Sequence, residues 1–248
     1  MKEIAGSVGT FRVLQLFFFL LEIRICLHFI SSFVVIMESL ESETITEEIV
    51  TFFTTQPVFP QVIDGTIDTK NFLDASRSVV ELIERLGKGF ALVKHDVQGN
   101  IEKLSKKYLT DPKNYRSLTE MINQEHADGG KISRDALLWL KRALNFVEVF
   151  LGFLIEDFHM NNNEDIIVIL KKAYNTTLRQ HHGWITQKLF LVVVRTCPTK
   201  NQMYSLLALG NDKVDPKCII QGMETFVNSL SLNLTVINQF YLDNNFES

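Results

Sequence analysis

Cysteine is scarce, with three residues in 248 (Cys26, Cys197 and Cys218), far apart and odd in number. That count excludes a disulfide framework, and the lack of any CxxC pair removes the commonest zinc-binding spacing. The thiols suit a reducing compartment. A basic surplus is also missing, since 25 Lys and Arg stand against 29 Asp and Glu, for a net charge of −4. Nucleic acid is therefore not expected as a partner, because no cationic excess exists to displace its counterions. No GxSxG, HExxH or P-loop motif occurs, nor a pair of carboxylates in visibly different surroundings. These absences argue against an enzyme, and no cofactor or metal is expected. Prolines are few: Pro57 and Pro60 precede the folded part, and Pro112, Pro198 and Pro216 fall in loops. Internal repeats and strand-like alternation are lacking too. Two Asn-x-Thr sequons, at Asn175 and Asn233, read as unused.

What is present is apolar and helical. With 46% hydrophobic and 22% charged residues, the chain can build one large domain with a real core. Near the start, "VLQLFFFLLEIRICLHFISSFVVI" (Val13 to Ile36) is long enough to span a bilayer. Glu22, Arg24 and His28 interrupt it near the middle, where a charge costs roughly 2.5–3.5 kcal/mol. No small-x-small cleavage site follows. Residues 1–36 are thus either a weak membrane anchor or a non-native leader ahead of a working start at Met37. Residues 37–56 are acidic and rich in Ser and Thr, as in a solvated linker. Residues 57–248 are expected to form the folded domain.

Asp68 and Thr69 can cap a helix reaching about Gly87, and the apolar periodicity predicts others over 91–109, 114–126, 131–158, 164–180, 183–196, 199–209 and 216–242. The domain is predicted to be all-α, with about eight helices. One helix says more. In "DALLWLKRALNFVEVFLGFL" (Asp135 to Leu154), Leu137, Leu140, Leu144, Val147, Leu151 and Leu154 form one stripe. Trp139, Phe146, Phe150 and Phe153 form another, nearly opposite, with Arg142 among them. Lys141, Asn145 and Glu148 are left for water. A helix apolar on two opposite sides belongs between layers, so a two-layer helical sandwich is expected. Arg142 must meet a partner or sit at a polar opening.

"KHDVQGNIEK" (Lys94 to Lys103) sets Asp96, Asn100 and Lys103 at helical spacing, opposite the apolar Val93, Val97, Ile101, Leu104 and Tyr108. Such a line is either a solvated face or a set of acceptors and donors suited to a polyhydroxyl group. Gly99 costs about 1 kcal/mol relative to alanine in a helix interior, and would let a ligand approach the backbone. Trp139 suits either a core or a stacking platform. His182, in "RQHHGWITQKL", suits either a structural hydrogen bond or a ligand contact. Trp184 suits either a core or an interfacial anchor with Lys188 nearby.

Taken in order, "VKHDVQGNIEKL", "ALLWLKRALNF" and "AYNTTLRQHHGWITQKLF" resemble the glycolipid transfer protein family. The likeness runs from about Phe52 to Tyr241 and is greatest to the C-terminal lipid-transfer domain of the pleckstrin-homology adaptor type. No pleckstrin-homology module precedes it here, so the phosphoinositide address of that type is expected to be missing. The resemblance implies a two-layer all-α fold carrying one sphingolipid. It assigns Asp96, Asn100 and Lys103 to the sugar hydroxyls, Trp139 to stacking under the sugar ring, and His182, with Asp96, to the ceramide amide. Trp184 and Lys188 would dock on the membrane. The phosphate-binding branch of the family has a basic residue where Trp139 stands, which favours a sugar over ceramide 1-phosphate. Tyr241 is the candidate for the C-terminal tyrosine that some members place at the headgroup. The implied activity is non-vesicular transfer of a glycosphingolipid such as glucosylceramide by a cytoplasmic, peripheral protein, with a glycolipid sensor or adaptor as the rival. Lifting roughly 30 methylenes from a bilayer costs on the order of 24 kcal/mol, so the chains need an apolar cavity of their own.

Phe52 and Phe53 follow the acidic tract and resemble the two-phenylalanine motif by which lipid carriers dock on endoplasmic-reticulum receptors. Thr54 replaces the usual acid, and phosphate there would add a charge of about −1.5 to −2. Alternatively, both rings pack on the domain as its first helix or strand.

Overall fold

The computed structural model describes residues 49–247. The hydrophobic leader and most of the acidic linker lie outside the described residues. The described residues form nine α-helices: α1 Phe52–Thr55, α2 Thr69–Arg85, α3 Ala91–Tyr108, α4 Leu118–Ala127, α5 Ile132–Met160, α6 Ile166–Thr176, α7 Trp184–Val193, α8 Lys200–Leu207 and α9 Pro216–Asp243. Among the described residues there is no strand, only two isolated bridges (Ile63 with Thr66, Asp68 with Ser117). The all-α sandwich expected from the sequence is what forms.

Short polar side chains set the starts. Asp68 accepts from the Asn71 amide at 2.9 Å to open α2, and Ser117, Asp165, Thr199 and Asp215 cap α4, α6, α8 and α9 in the same way. Pro216, expected in a loop, instead takes the first turn of α9, where its missing N–H costs nothing. α5 stops at Asn161, which turns left-handed at φ 50°. Two predicted helices are shorter than their periodicity suggested. The stretch after α6 tightens into a 3₁₀ turn at Arg179–His181, and α7 passes into another at Val194–Thr196.

The Leu137 to Leu154 stripe of α5 is buried throughout, and α5 touches α2, α3, α4, α6 and α9. Burying a leucine fully contributes about 1.5–3 kcal/mol, so this one stripe supplies a large part of the core. One expectation fails here. Lys141 is buried rather than bathed in water, because α9 and the C-terminal tail close over it. Asn233 is wholly buried, donating to the Pro60 carbonyl at 2.8 Å, so that sequon is closed to a glycan.

The acidic-tract motif is also corrected. Phe52 and Phe53 are 0% and 5% exposed. The Phe53 ring meets Phe226 at 5.5 Å, and a Cβ on Gly222 would lie 2.9 Å from the Phe53 Cβ. Thr54 accepts from the Thr51 amide at 2.8 Å in a reciprocal cap. Two rings seated in the core cannot anchor a receptor, so the folded part begins before residue 57. Phe53→Ala is expected to cost about 3–5 kcal/mol, read as a lowered urea midpoint, with slow hydrogen exchange at both phenylalanine amides in the unaltered protein.

Candidate functional site

The second stripe of α5 faces a cavity of about 240 Å³. Leu82 and Ile83 of α2, Val93 and Val97 of α3, Phe146 and Phe150 of α5, Leu170 of α6, and Leu189 and Phe190 of α7 line it. Its lining is almost wholly apolar. Five polar-tipped residues also line it, namely Asp96 from α3, Trp139 from α5, Tyr174 from α6, His182 from the turn before α7 and Thr186 from α7. The Trp139 and His182 rings lie 6.5 Å apart, 23° from parallel, and Trp139 stays 38% exposed. A more open hollow of about 490 Å³ beside Arg85, Pro198 and Leu206 holds none of these residues.

Asn100 and Lys103 do not line the cavity. Asn100 is buried and donates to the Asp96 carbonyl at 3.0 Å, while its own oxygen accepts from Lys103 Nζ at 3.3 Å. Asn100 is thus tied to the α3 backbone and to exposed Lys103, while the Asp96 carboxylate stands apart at the cavity end. Gly99 does not border the cavity, and a Cβ there would meet nothing within 4 Å. No close approach explains that glycine.

His182 is held from two sides. Tyr174 Oη lies 3.0 Å from its Nδ1, and Gln187 Nε2 donates to its carbonyl at 2.8 Å. A phenol donating to Nδ1 leaves the imidazole proton on Nε2, free for a ligand acceptor. Burial raises the Tyr174 pKa, keeping that phenol protonated. Tyr174 in turn stacks on Phe190 of α7 at 3.7 Å. Burial pushes the His182 pKa down, and the Asp96 carboxylate offsets this only in part.

The C-terminal tail borders the same end of α5. Arg142 sits 4.9 Å over the Trp139 ring and donates to the Glu247 carbonyl at 3.1 Å. The Glu247 carboxylate pairs with Lys141, which also donates to Asn238 at 3.0 Å. Tyr241 is not a headgroup residue. It is fully buried, with its hydroxyl donating to the Arg134 carbonyl at 2.6 Å, and it does not line the cavity. Trp184 and Lys188 lie on the exposed side of α7, Trp184 at 72%.

The sequence profile of the family "Glycolipid transfer protein (GLTP)" matches residues 67–209. The chain belongs to the glycolipid transfer protein family. It is 32% identical over 217 residues to the rat pleckstrin homology domain-containing family A member 8, covering 82% of this chain and 41% of that one. It thus spans about two-fifths of the length of such relatives. Zebrafish glycolipid transfer protein is 29% identical over 184 residues, covering 71% of this chain and 88% of that one. Among solved structures, one concerned with how FAPP2 selects simple glycosphingolipids using the GLTP-fold aligns with a TM-score of 0.72 at 28% identity, over 80% of this chain and 98% of that one. Human ceramide-1-phosphate transfer protein, in complex with 12:0 ceramide-1-phosphate, shares the fold at a TM-score of 0.65 and 16% identity, over 82% and 98%.

Reading the sequence of this GLTP-family chain missed Tyr174 and the Glu247 tail, whereas Arg142, placed on the Trp139 stripe and in need of a partner, meets both the Trp139 ring and the Glu247 carbonyl. Tyr174 stands eight residues before His182 in the quoted motif, and only folding turns that separation into contact.

Two outcomes are expected. His182 should titrate below the ordinary value of about 6.5 in an imidazole NMR titration. The stability it contributes is then full above about pH 6.5 and is lost as pH falls through the depressed folded value. Glu247→Ala should cost about 1–3 kcal/mol, more than an exposed pair, because it strands a buried ammonium. Lys141→Met should cost less in the same denaturation assay.

Proposed function

We propose that this protein carries one glycosphingolipid at a time between membranes, with the sugar at the polar mouth and the ceramide chains in the apolar cavity. The observation that carries the reading is the meeting of Trp139, Asp96 and His182 over a cavity with an almost wholly apolar lining. Trp139 offers the sugar ring a flat apolar face, and its fixed plane costs little entropy on binding. The Asp96 carboxylate accepts from sugar hydroxyls and the ceramide amide N–H, while His182 Nε2–H donates to the amide oxygen. Exposed Lys103, held by the buried Asn100 amide, extends the polar line to the outer hydroxyls. These bonds replace bonds to water, so they select the headgroup more than they hold the lipid. Retention comes from the chains, at about 0.8 kcal/mol per buried methylene.

A cavity of about 240 Å³ is smaller than the roughly 300–1,000 Å³ of ordinary ligand pockets, so loading must widen it. α7 is the wall that can yield, since it contains no buried residue. It also carries Trp184 and Lys188, the pair suited to the lipid–water interface. No helix among the described residues is long and apolar enough to cross a membrane. In this reading the folded domain touches the membrane peripherally, from the cytoplasmic side, and delivery takes place while α7 touches the bilayer.

Ceramide 1-phosphate is the second reading, favoured by the Arg142 guanidinium at 4.9 Å from the Trp139 ring. One vesicle-to-vesicle assay separates the two. Glucosylceramide should move faster than ceramide 1-phosphate, and Asp96→Val should lower glucosylceramide transfer at least tenfold with helicity unchanged. Faster movement of ceramide 1-phosphate would overturn the sugar reading, and unchanged transfer in the variant would remove Asp96 from the site.

A further inference from the structure

Acidic residues vanish from one stretch of the chain. From Ile166 to Asn211 there is no Asp or Glu, while Lys171, Lys172, Arg179, Lys188, Arg195 and Lys200 fall within it. With a net charge of −4 overall, this stretch carries +6 and the remainder carries −10. Nearly a fifth of an acidic protein is thus purely cationic, and it is the part that contains α7.

The folded positions make this more than a bias of composition. Lys200 is used internally, pairing with Asp157, and Lys172 sits over the Phe153 ring. Others border α7. Arg179 lies at its start, where the Arg179 carbonyl accepts from Gln187 Nε2 at 3.1 Å. Lys188 lies on its exposed side, and Arg195 follows at its end. Lys88 joins them from the turn before α3. A Cβ on Gly89 would lie 1.9 Å from Thr196 Oγ1, so that turn abuts the residue after Arg195. All four cations are exposed, and none makes an ion pair among the described residues.

Between them lie apolar side chains without cover: Trp184 at 72%, Ile185 at 66%, Val192 at 61% and Leu92 at 64% exposed. Four acids stand nearby. Asp96 is at the cavity, Glu84 is already paired with Lys94 at 2.7 Å, Asp165 caps α6 near Cys197, and Glu247 is paired with Lys141 near His181. An apolar patch ringed by free cations matches a bilayer whose surface is negative. Zwitterionic headgroups would reward the apolar part alone.

We propose that the α7 face docks selectively on anionic leaflets, so that surface charge decides which membranes the carrier visits. The proposal rests on the membrane-docking reading of α7 and deepens it. Juxtamembrane Lys and Arg are each worth about a fivefold gain in affinity at an anionic surface, and the gain fades as salt shortens the Debye length.

The test uses the full chain and vesicles without any glycolipid, so it does not depend on cargo identity. Binding to phosphatidylcholine vesicles containing a minor share of phosphatidylserine should exceed binding to pure phosphatidylcholine at least tenfold at low salt. High salt should erase most of the difference. The triple variant Lys88→Gln, Arg179→Gln, Arg195→Gln should lose the difference and keep its weak binding to pure phosphatidylcholine. Equal binding to both vesicles, or a triple variant that keeps the preference, would overturn the proposal. Trp184→Ala separates the underlying reading. If it leaves binding to both vesicles intact while the charge preference persists, α7 is not the docking face and the proposal falls with that reading. Failure of glucosylceramide transfer with the preference intact would instead remove only the proposed cargo.

Discussion

A long helix that is apolar on two opposite sides must find something to bury on each, and in this protein the two burdens differ. The leucine stripe of α5 meets side chains and makes the core, with Leu137, Leu140, Leu144, Leu151 and Leu154 fully buried. The aromatic stripe meets a space. Trp139, Phe146 and Phe150 line a cavity that α2, α3, α6 and α7 enclose but do not fill. At 1.5 Å per residue the 29 residues of α5 run about 43 Å, enough to hold the mouth and the floor of that cavity in fixed register. The rigid side of the rod is paid for by ordinary packing, and that leaves the other side free to face a ligand.

Electrostatics at the mouth follow from how α5 ends its polar strip. Lys141 and Arg142 are neighbours in sequence but point to different tasks. The first is neutralised under α9 by Glu247 and Asn238, and the second rests on Trp139 while its guanidinium reaches the Glu247 carbonyl. One tail residue thereby satisfies both. Across the mouth, Tyr174 fixes His182 and itself stacks on Phe190 of α7. The wall suited to move thus touches the group suited to recognise the headgroup.

Much of this was legible in the residues. Helix positions followed from the apolar periodicity and the Asp68 cap, and the double stripe of α5 implied a layered fold. Asp96, Trp139 and His182 were singled out by the resemblance of their motifs to the family, since each alone suited a solvated, core or structural role as well. Three things were not legible. Lys141 looked solvated since its cover comes from α9 and the tail, about a hundred residues away. Phe52 and Phe53 looked like a docking motif since the acids before them are local and the Phe226 partner is not. The Asn100 amide looked like a ligand group of the same rank as Asp96, yet its hydrogen bonds turn inward to its own helix. Helical periodicity reports which residues share a side, and it is silent on what arrives from elsewhere to cover them.

Hydrostatic pressure would find the cavity beneath α7 before it found the leucine stripe. Protein interiors are packed as densely as organic crystals, so they yield little volume when squeezed. An apolar void is different, because its volume disappears on unfolding and pressure favours whichever state is smaller. Filling the space with hydrocarbon removes that difference. Under the proposed lipid-carrying role, the form with that space open is the compressible one and the form with it filled the stiff one, a mechanical contrast that follows from geometry.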